Sequence, residues 1–331
     1  MATIQEVAQL AGVSVGSVSR FLNGYKLKEK NEEKIKKAIK ELDYQENYFA
    51  KSLKTSRTHS IGLLMNNAKS MFSSNMTATL GDELEQLGYS MLLSGYHEQH
   101  TKIDVKMNFL LSRKIDGLII FEPEEKWKSL DLIKKIEIPI LSINTSLTMP
   151  NVDSIVMDNR TSTKTVVTKM IDFGHKKIGI IAGPDTDSVA KERLSGAIDA
   201  AHEQNFSEEN LKIVYGDYSK QSGQECMQEL LEEKVTSVFV CNYNMSLGAL
   251  QAIYEAGIAV GSQLSFANFA YFETSDIFRP RLTSICQPVD EISKYAAQRI
   301  VKRIQSNNSL ETEVKIMHND ILWHDSIRRF T

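Results

Sequence analysis

The sequence predicts two parts: an all-α head built on a helix-turn-helix, and an α/β body of two doubly wound parallel-sheet lobes. Three observations carry this reading. The head is basic and the body acidic: residues 1–57 hold 11 Lys/Arg against 7 Asp/Glu, and the remaining 274 hold 28 against 35. Short helical stretches separated by glycine-containing turns fill residues 1–45. Beyond residue 58, apolar runs of strand length alternate with helical stretches in two similar series. A basic module on an acidic chain points to a polyanion partner.

The elements of the head follow from local chemistry. Thr3-Ile-Gln-Glu6 is a capping box, in which hydroxyl and carboxylate satisfy each other's backbone N–H groups. A helix then runs to about Ala11, and Gly12 supplies the positive φ that stops it. Ser14 caps a second helix over about Val15–Leu22, which Asn23-Gly24 breaks. Asn31 is expected to cap a third helix over about Glu32–Asp43, with Glu32 and Glu33 early and Lys36, Lys37 and Lys40 later, as the macrodipole favours. Val7, Ala8, Val18, Leu22, Ile35, Ile39 and Leu42 recur at helical spacing and form a candidate miniature core.

Two helices joined by a short glycine turn make a helix-turn-helix, whose second helix enters the DNA major groove by its N-terminal end. That places Val15, Gly16 and Arg20 at base edges. Arg20 can fork onto guanine O6 and N7, Val15 can touch a thymine methyl, and Gly16 permits close approach. Ser14, Ser17, Ser19 and Asn23 are short polar groups suited to phosphates, which fix register and not sequence. The competing reading is a small helical cap with solvated serines. Gly12-Val-Ser14-Val-Gly16 also matches the nucleophile elbow of hydrolases, but that motif needs a strand before its serine, and a helix precedes this one.

In the body, Ser60–Met65, Ser90–Leu93, Gly117–Phe121 and Ile140–Ile143 read as buried strands, with Leu80–Leu87, Val105–Leu111 and Leu130–Ile136 as helices between them. A second series opens at Lys177–Ala182 and continues through Leu211–Val214, Ser237–Val240 and Leu264–Ala267. Ile61-Gly62 and Ile178-Gly179 begin the two halves alike, which suggests an internal duplication. Two such lobes side by side form a cleft, and ligands of open parallel sheets sit at the carboxyl ends of the strands.

The segment from Met1 through Gly12-Val-Ser-Val-Gly-Ser-Val-Ser-Arg20 to Asn23, with Ala38-Ile-Lys-Glu-Leu-Asp-Tyr44 and Ala50-Lys-Ser-Leu53, resembles the lactose-repressor (LacI/GalR) family of bacterial transcription regulators. The resemblance extends through the whole chain. It implies a head at 1–45, a hinge helix and linker at 46–57, and a core at 58–331 that resembles type I periplasmic binding proteins. Lobe one would hold about 58–159 and 290–306, and lobe two about 160–288 and the C-terminal strand.

The resemblance also implies the contacts. Thr3 and Ile4 join the second helix at the DNA, and Asn47, Ala50, Leu53 and Lys54 serve in the hinge. There Leu53 would wedge into the minor groove and kink a base step, with Lys51, Lys54 and Arg57 near phosphates. Such a segment is too short to be a stable helix alone. The family usually has proline just before the hinge, where this chain has Glu46. The implied effector contacts are Phe72 in the loop after the first strand, Asn144 after the fourth, Asp187 and Lys191 beyond Gly183-Pro184, Tyr218, and Asn242. Ala270 stands where the family usually has an aspartate that clamps ligand hydroxyls. An aromatic face with polar hydrogen-bonding groups suits a sugar or a sugar derivative.

Several classes are set aside. Cys226, Cys241 and Cys286 have neither metal nor disulfide spacing, and an odd, unpaired set suits a reducing cytosol. No signal-peptide pattern or membrane-length apolar run occurs, so a cytoplasmic protein with no membrane role is expected. His97-Glu-Gln-His100 is not a zinc motif, no nucleotide-binding glycine loop occurs, and no nucleophile–base set suggests an enzyme. No metal or cofactor is expected.

The expected function is a sequence-specific regulator, a repressor, that binds a palindromic operator in double-stranded DNA as a homodimer under control of a small effector in the cleft. An alternative keeps the DNA head but gives control to a phosphorylated carrier protein docking on lobe one, where the helix Glu291–Ile304 offers Lys294, Arg299, Lys302 and Arg303 to a phosphoserine. A third reading, a solute-binding protein with no genetic role, leaves the head unexplained. No leucine heptads follow the last apparent strand, so a dimer is expected over a tetramer.

Overall fold

The computed structural model describes residues 2–22, 25–44, 57–66, 70–96, 102–123, 127, 130–271 and 273–330. Two compact units divide it, Met1–Thr58 and His59–Thr331.

The first unit holds α1 (Ile4–Ala11), α2 (Val15–Leu22) and α3 (Glu29–Glu41). The Thr3 hydroxyl accepts from the Glu6 N–H at 3.3 Å and the Thr3 N–H donates to the Glu6 carboxylate at 2.7 Å, closing the capping box. Gly12 takes φ 61°, and its N–H returns to the α1 carbonyls. Ser14 Oγ accepts from the Ser17 N–H at 3.1 Å and starts α2. The start of α3 differs from expectation. Asn31 lies inside the first turn, and the helix opens at Glu29 with no side-chain cap from Lys28. Glu32 supplies the polar closure instead, its carboxylate accepting from the Leu27 N–H at 2.9 Å. Val7, Ala8, Ala11, Val18, Ile35 and Ala38 form the buried core, with Leu22, Ile39 and Leu42 packed at its edge.

The second unit contains two six-stranded sheets. The first has the order β11-β5-β4-β3-β1-β2, from β1 (Ser60–Met65), β2 (Ser90–Gly95), β3 (Gly117–Phe121), β4 (Ile140–Ile143), β5 (Val152–Met157) and β11 (Val314–Met317). All its pairings are parallel. The second has the order β12-β10-β9-β8-β6-β7, from β6 (Ile178–Ala182), β7 (Leu211–Tyr215), β8 (Ser237–Val240), β9 (Ser265–Phe269), β10 (Thr283–Cys286) and β12 (Asp320–Leu322). It is parallel except for β12 against β10.

The two strand orders superimpose, and the duplication extends to single residues. A Cβ on Gly62, the third residue of β1, would stand 2.7 Å from Ile115, and one on Gly179, the second residue of β6, would stand 2.7 Å from Leu230. Each glycine lets an apolar side chain press directly on the opening strand of its lobe.

Helices cover both faces of each sheet, so the central strands are buried on both sides. In the first lobe α4 (Met71–Gln86) packs on α11 (Val289–Gln305) through Met76, Leu80 and Leu84 against Ile292, Ala296 and Ile300. On the opposite face lie α5 (Ile103–Ser112) and α6 (Leu130–Ile133), with Met107, Leu110, Ile120 and Trp127 buried. The helix α6 is shorter than its apolar pattern predicts. The Asn151 amide donates to the carbonyls of Ile133 and Ile136 and ends it. The second lobe carries α7 (Asn159–Asp172) and α8 (Ser188–Glu203) on one face, and α9 (Lys220–Glu232) and α10 (Tyr243–Glu255) on the other.

The chain crosses between the sheets after β5, after β10 and between β11 and β12. Asp158 joins the first and last crossings. Its Oδ1 accepts from the Asn319 N–H at 2.8 Å and its Oδ2 lies 2.9 Å from His318 Nδ1.

Candidate DNA-reading helix and ligand cleft

In the head, Ser14, Val15, Gly16 and Arg20 are exposed on one side of α2, while Val18 turns into the core. Val15 is an apolar side chain left 41% exposed beside an exposed glycine. Among the described residues the Arg20 Nε donates to the Gly16 carbonyl, at 3.4 Å. Ser14 and Ser17 spend part of their hydrogen-bonding capacity on each other, at 2.9 Å between hydroxyls, and Ser17 and Ser19 are half-buried. Thr3 is exposed and Ile4 packs at the core edge. The expectations for Asn23, Asn47, Ala50, Leu53 and Lys54 lie outside the described residues, as does the His97–His100 pair.

In the body, a cavity of about 370 Å³ lies between the two sheets at the carboxyl ends of their strands. Six of the seven residues expected there line it: Phe72, Asn144, Asp187, Tyr218, Asn242 and Ala270. Their local settings differ from the sequence reading in two places. Phe72 sits in the first turn of α4, not in a loop, because Ser70 caps that helix by accepting from the Ser73 N–H. Lys191 does not line the cavity. It is exposed on α8, and the cation on the cavity side is Arg193, two residues on. Along α8, Val189, Ala190, Arg193 and Ala197 share the buried face, so helical periodicity turns Lys191 outward.

Arg193 is 7% exposed and carries a fixed set of contacts. Its Nη1 donates to the Cys241 carbonyl at 2.7 Å and its Nε to Asn159 Oδ1 at 3.2 Å. Its guanidinium carbon lies 3.6 Å from the centre of the Phe269 ring, a cation–π stack. Asp187 caps α8 by accepting from the Ala190 N–H at 2.7 Å. Asn242 caps α10 through the N–H groups of Asn244 and Met245. Both residues therefore hold a helix end as well as a place on the cavity wall.

Among the lining residues absent from the sequence expectations are Glu122, Arg193 and Gln287. Glu122 directly follows β3 and has φ 53°. Its carboxylate accepts from Asn144 Nδ2 at 2.8 Å. Burial pushes the Glu122 carboxyl up to about 6, while the Asn144 amide opposes the rise. Among the described residues, Asn144 Oδ1 and Gln287 Nε2 are buried with no hydrogen-bond partner. Tyr218, at φ 69°, presses its ring on the backbone at Gly183, where a Cβ would come within 2.5 Å of the ring. Burial, with Asp187 adding to it, holds the Tyr218 hydroxyl above its ordinary pKa, so it remains a neutral donor.

A helix-turn-helix unit with an exposed reading helix, joined in one chain to a two-lobed parallel-sheet receptor with a polar cleft, defines the class of ligand-binding DNA-binding regulators. Family models match both parts. Residues 3–47 match "Bacterial regulatory proteins, lacI family", and residues 58–322 match "Periplasmic binding proteins and sugar binding domain of LacI family". The chain belongs to the LacI family and is a DNA-binding transcriptional regulator. It is 31% identical over 333 residues to the HTH-type transcriptional repressor PurR of Pasteurella multocida, covering 99% of each chain. It is 30% identical over 334 residues to that of Mannheimia succiniciproducens, again covering 99% of each. Among solved structures, the Lac repressor dimer bound to operator and the anti-inducer ONPF aligns with a TM-score of 0.83 at 25% identity, over 99% of each chain. The CelR–cellobiose complex aligns with a TM-score of 0.73 at 24% identity, over 98% of this chain and 100% of that one.

Among the described residues no helix is long and apolar enough to cross a membrane, and no group of His, Cys, Asp and Glu could hold a metal ion.

Proposed function

We propose that this regulator is a repressor that binds a palindromic operator as a homodimer, reads it with α2, and is controlled by a small molecule held between the lobes. The observation that carries the cleft half is a pair of buried polar atoms on two cavity-lining residues, Asn144 Oδ1 and Gln287 Nε2, which have no hydrogen-bond partner among the described residues. Each costs free energy until a complementary group meets it, so the site favours a hydrogen-bonding ligand. The exposed face of α2, with Arg20 largely uncommitted, supports the DNA half. Dimeric binding rests on the geometry of two recognition helices that must meet half-sites about one turn of DNA apart, and the operator-bound relative is a dimer.

A ligand that contacts both lobes binds one relative lobe angle better than another. The equilibrium then moves only as far as that differential affinity allows. Control by a phosphorylated carrier draws less support. Of the four cations expected on α11, Arg299 and Arg303 turn inward to Asp153, and only Lys294 and Lys302 are exposed.

Footprinting of the purified full chain on genomic fragments at moderate salt, with and without small-molecule pools, tests this reading. The expected result is a two-fold symmetric protected site whose occupancy changes with one pool. Protection of no preferred duplex under any condition would overturn it.

A further inference from the structure

The charge and hydrogen-bonding pattern of the cleft specify its ligand further, granting the proposal above that the cleft holds the effector. Among the described residues, three carboxylates line the cavity, Glu122 and Asp187 within it and the more exposed Asp217, against the one guanidinium of Arg193. That guanidinium is already committed to the Cys241 carbonyl, to Asn159 and to the Phe269 ring. After burial, which dominates, the Asp187 charge disfavours ionisation of Glu122 and the Arg193 charge favours it, the Asp187 effect being the larger of the two. A phosphate or carboxylate placed here would add to that repulsion, whereas a cation would relieve it.

The hydrogen-bond pattern points the same way. Asn144 is 5% exposed, donates its amide to Glu122 at 2.8 Å, and leaves Oδ1 without a donor among the described residues. Glu122 and Asn144 both line the cavity, and Oδ1, buried as it stands, meets a donor once the Asn144 side chain turns toward a ligand; a group with several N–H donors can then satisfy both residues together. Elsewhere on the wall, Gln287 Nε2 needs an acceptor, and the Phe72 and Tyr218 rings offer apolar faces. A hydroxylated ring or chain supplies an acceptor and an apolar face together.

We propose that the cleft recognises a small polyhydroxylated molecule bearing a protonated primary amine, with the ammonium donating to the Glu122 carboxylate and to Asn144 Oδ1, and that it excludes phosphorylated and carboxylated analogues.

Calorimetry and thermal-shift measurements on the full chain test the proposal. The probes are glucosamine, galactosamine and mannosamine, each against its parent hexose, its N-acetyl derivative and its 6-phosphate. At least one free amine is expected to bind about tenfold or more tighter than its three analogues, a difference of one ion-pair-sized contact. The Glu122→Gln variant keeps the side-chain shape and is expected to bring the amine's affinity down to that of its parent. Glu122→Asp, which keeps the charge, retains a preference for the amine. Tightest binding by a neutral hexose, an N-acetyl derivative or a phosphate overturns the proposal, as does binding of none of the amines at millimolar concentration. If a non-aminated ligand binds and loses affinity in Asn144→Ala, the amine is wrong while the cleft remains the effector site. If an amine binds as described yet leaves operator occupancy unchanged, the recognition stands and control through the cleft fails.

Discussion

Arg303 Nη1 donates to Asp153 Oδ2 at 2.6 Å, with both side chains only 2% exposed. The other oxygen of Asp153 takes two bonds from Arg299 and one from the Glu313 N–H. One carboxylate on β5 therefore holds both α11 and the segment leading into β11. Removing it strands a buried guanidinium, so Asp153→Ala is expected to cost about 3–5 kcal/mol. Urea denaturation followed by circular dichroism measures it. A loss below about 1 kcal/mol would show that water or another acceptor replaces the carboxylate.

Arg20 is the side chain of α2 best able to read a base. Arg20→Ala is expected to lose about 1–3 kcal/mol of preference for operator over random DNA, while weak, salt-sensitive binding persists through phosphate contacts. Competition gel shifts at two salt concentrations give both quantities. An unchanged ratio of specific to nonspecific affinity would remove Arg20 from the reading surface.

The raised Glu122 carboxyl makes a signed prediction for pH. Its folded value of about 6 stands above the ordinary 4.5. Between those values the folded chain holds the proton more often than the unfolded chain does. The contribution to stability is complete below the ordinary value and is lost as pH rises through the folded one. A shift of that size is worth roughly 1–2 kcal/mol. The Glu122→Gln variant should be flatter than the parent across this window, and parallel stability profiles for the two would remove the assigned cause.

Gly183 makes room for the Tyr218 ring on the cavity wall. A methyl group there would stand 2.5 Å from the ring, so Gly183→Ala must displace it. The ring's outer end can move, so the stability cost should stay near the lower end of about 1–3 kcal/mol. Ligand affinity should fall more than stability does, because the displaced ring enters the cavity. Calorimetric titration beside a thermal melt separates the two. Full affinity in the variant would mean that Tyr218 does not shape the binding space.

The sequence makes the strands β1, β3, β4 and β8 legible to their end residues, because each is a short, mostly apolar run with nearly every residue buried. It does not reveal β10, whose Thr-Ser-Ile-Cys mixes polar and apolar residues, and so Gln287 just beyond it went unseen. Phe72 lies in α4 and not in a loop because the Ser70 cap starts that helix at Met71, well ahead of the Leu80 at which the sequence reading opens it. Glu122 follows a recognised strand directly, and its position at the carboxyl end was the available signal. Lys191 drew attention as a cation near the right turn, but only the periodicity of α8 distinguishes it from Arg193. Hydrogen bonding between distant residues, such as Glu122 with Asn144, leaves no trace in local sequence pattern.

The pairing of β11 with β5 and of β12 with β10 has a consequence for biosynthesis. Each sheet waits for an edge strand made after all its other strands, β11 (Val314–Met317) for the first and β12 (Asp320–Leu322) for the second. The head can fold while translation continues, since among the described residues its core is drawn from those before 45. The receptor cannot be finished until residue 322 has been made, so a ribosome stalled before residue 314 would display a folded head tethered to two unfinished sheets.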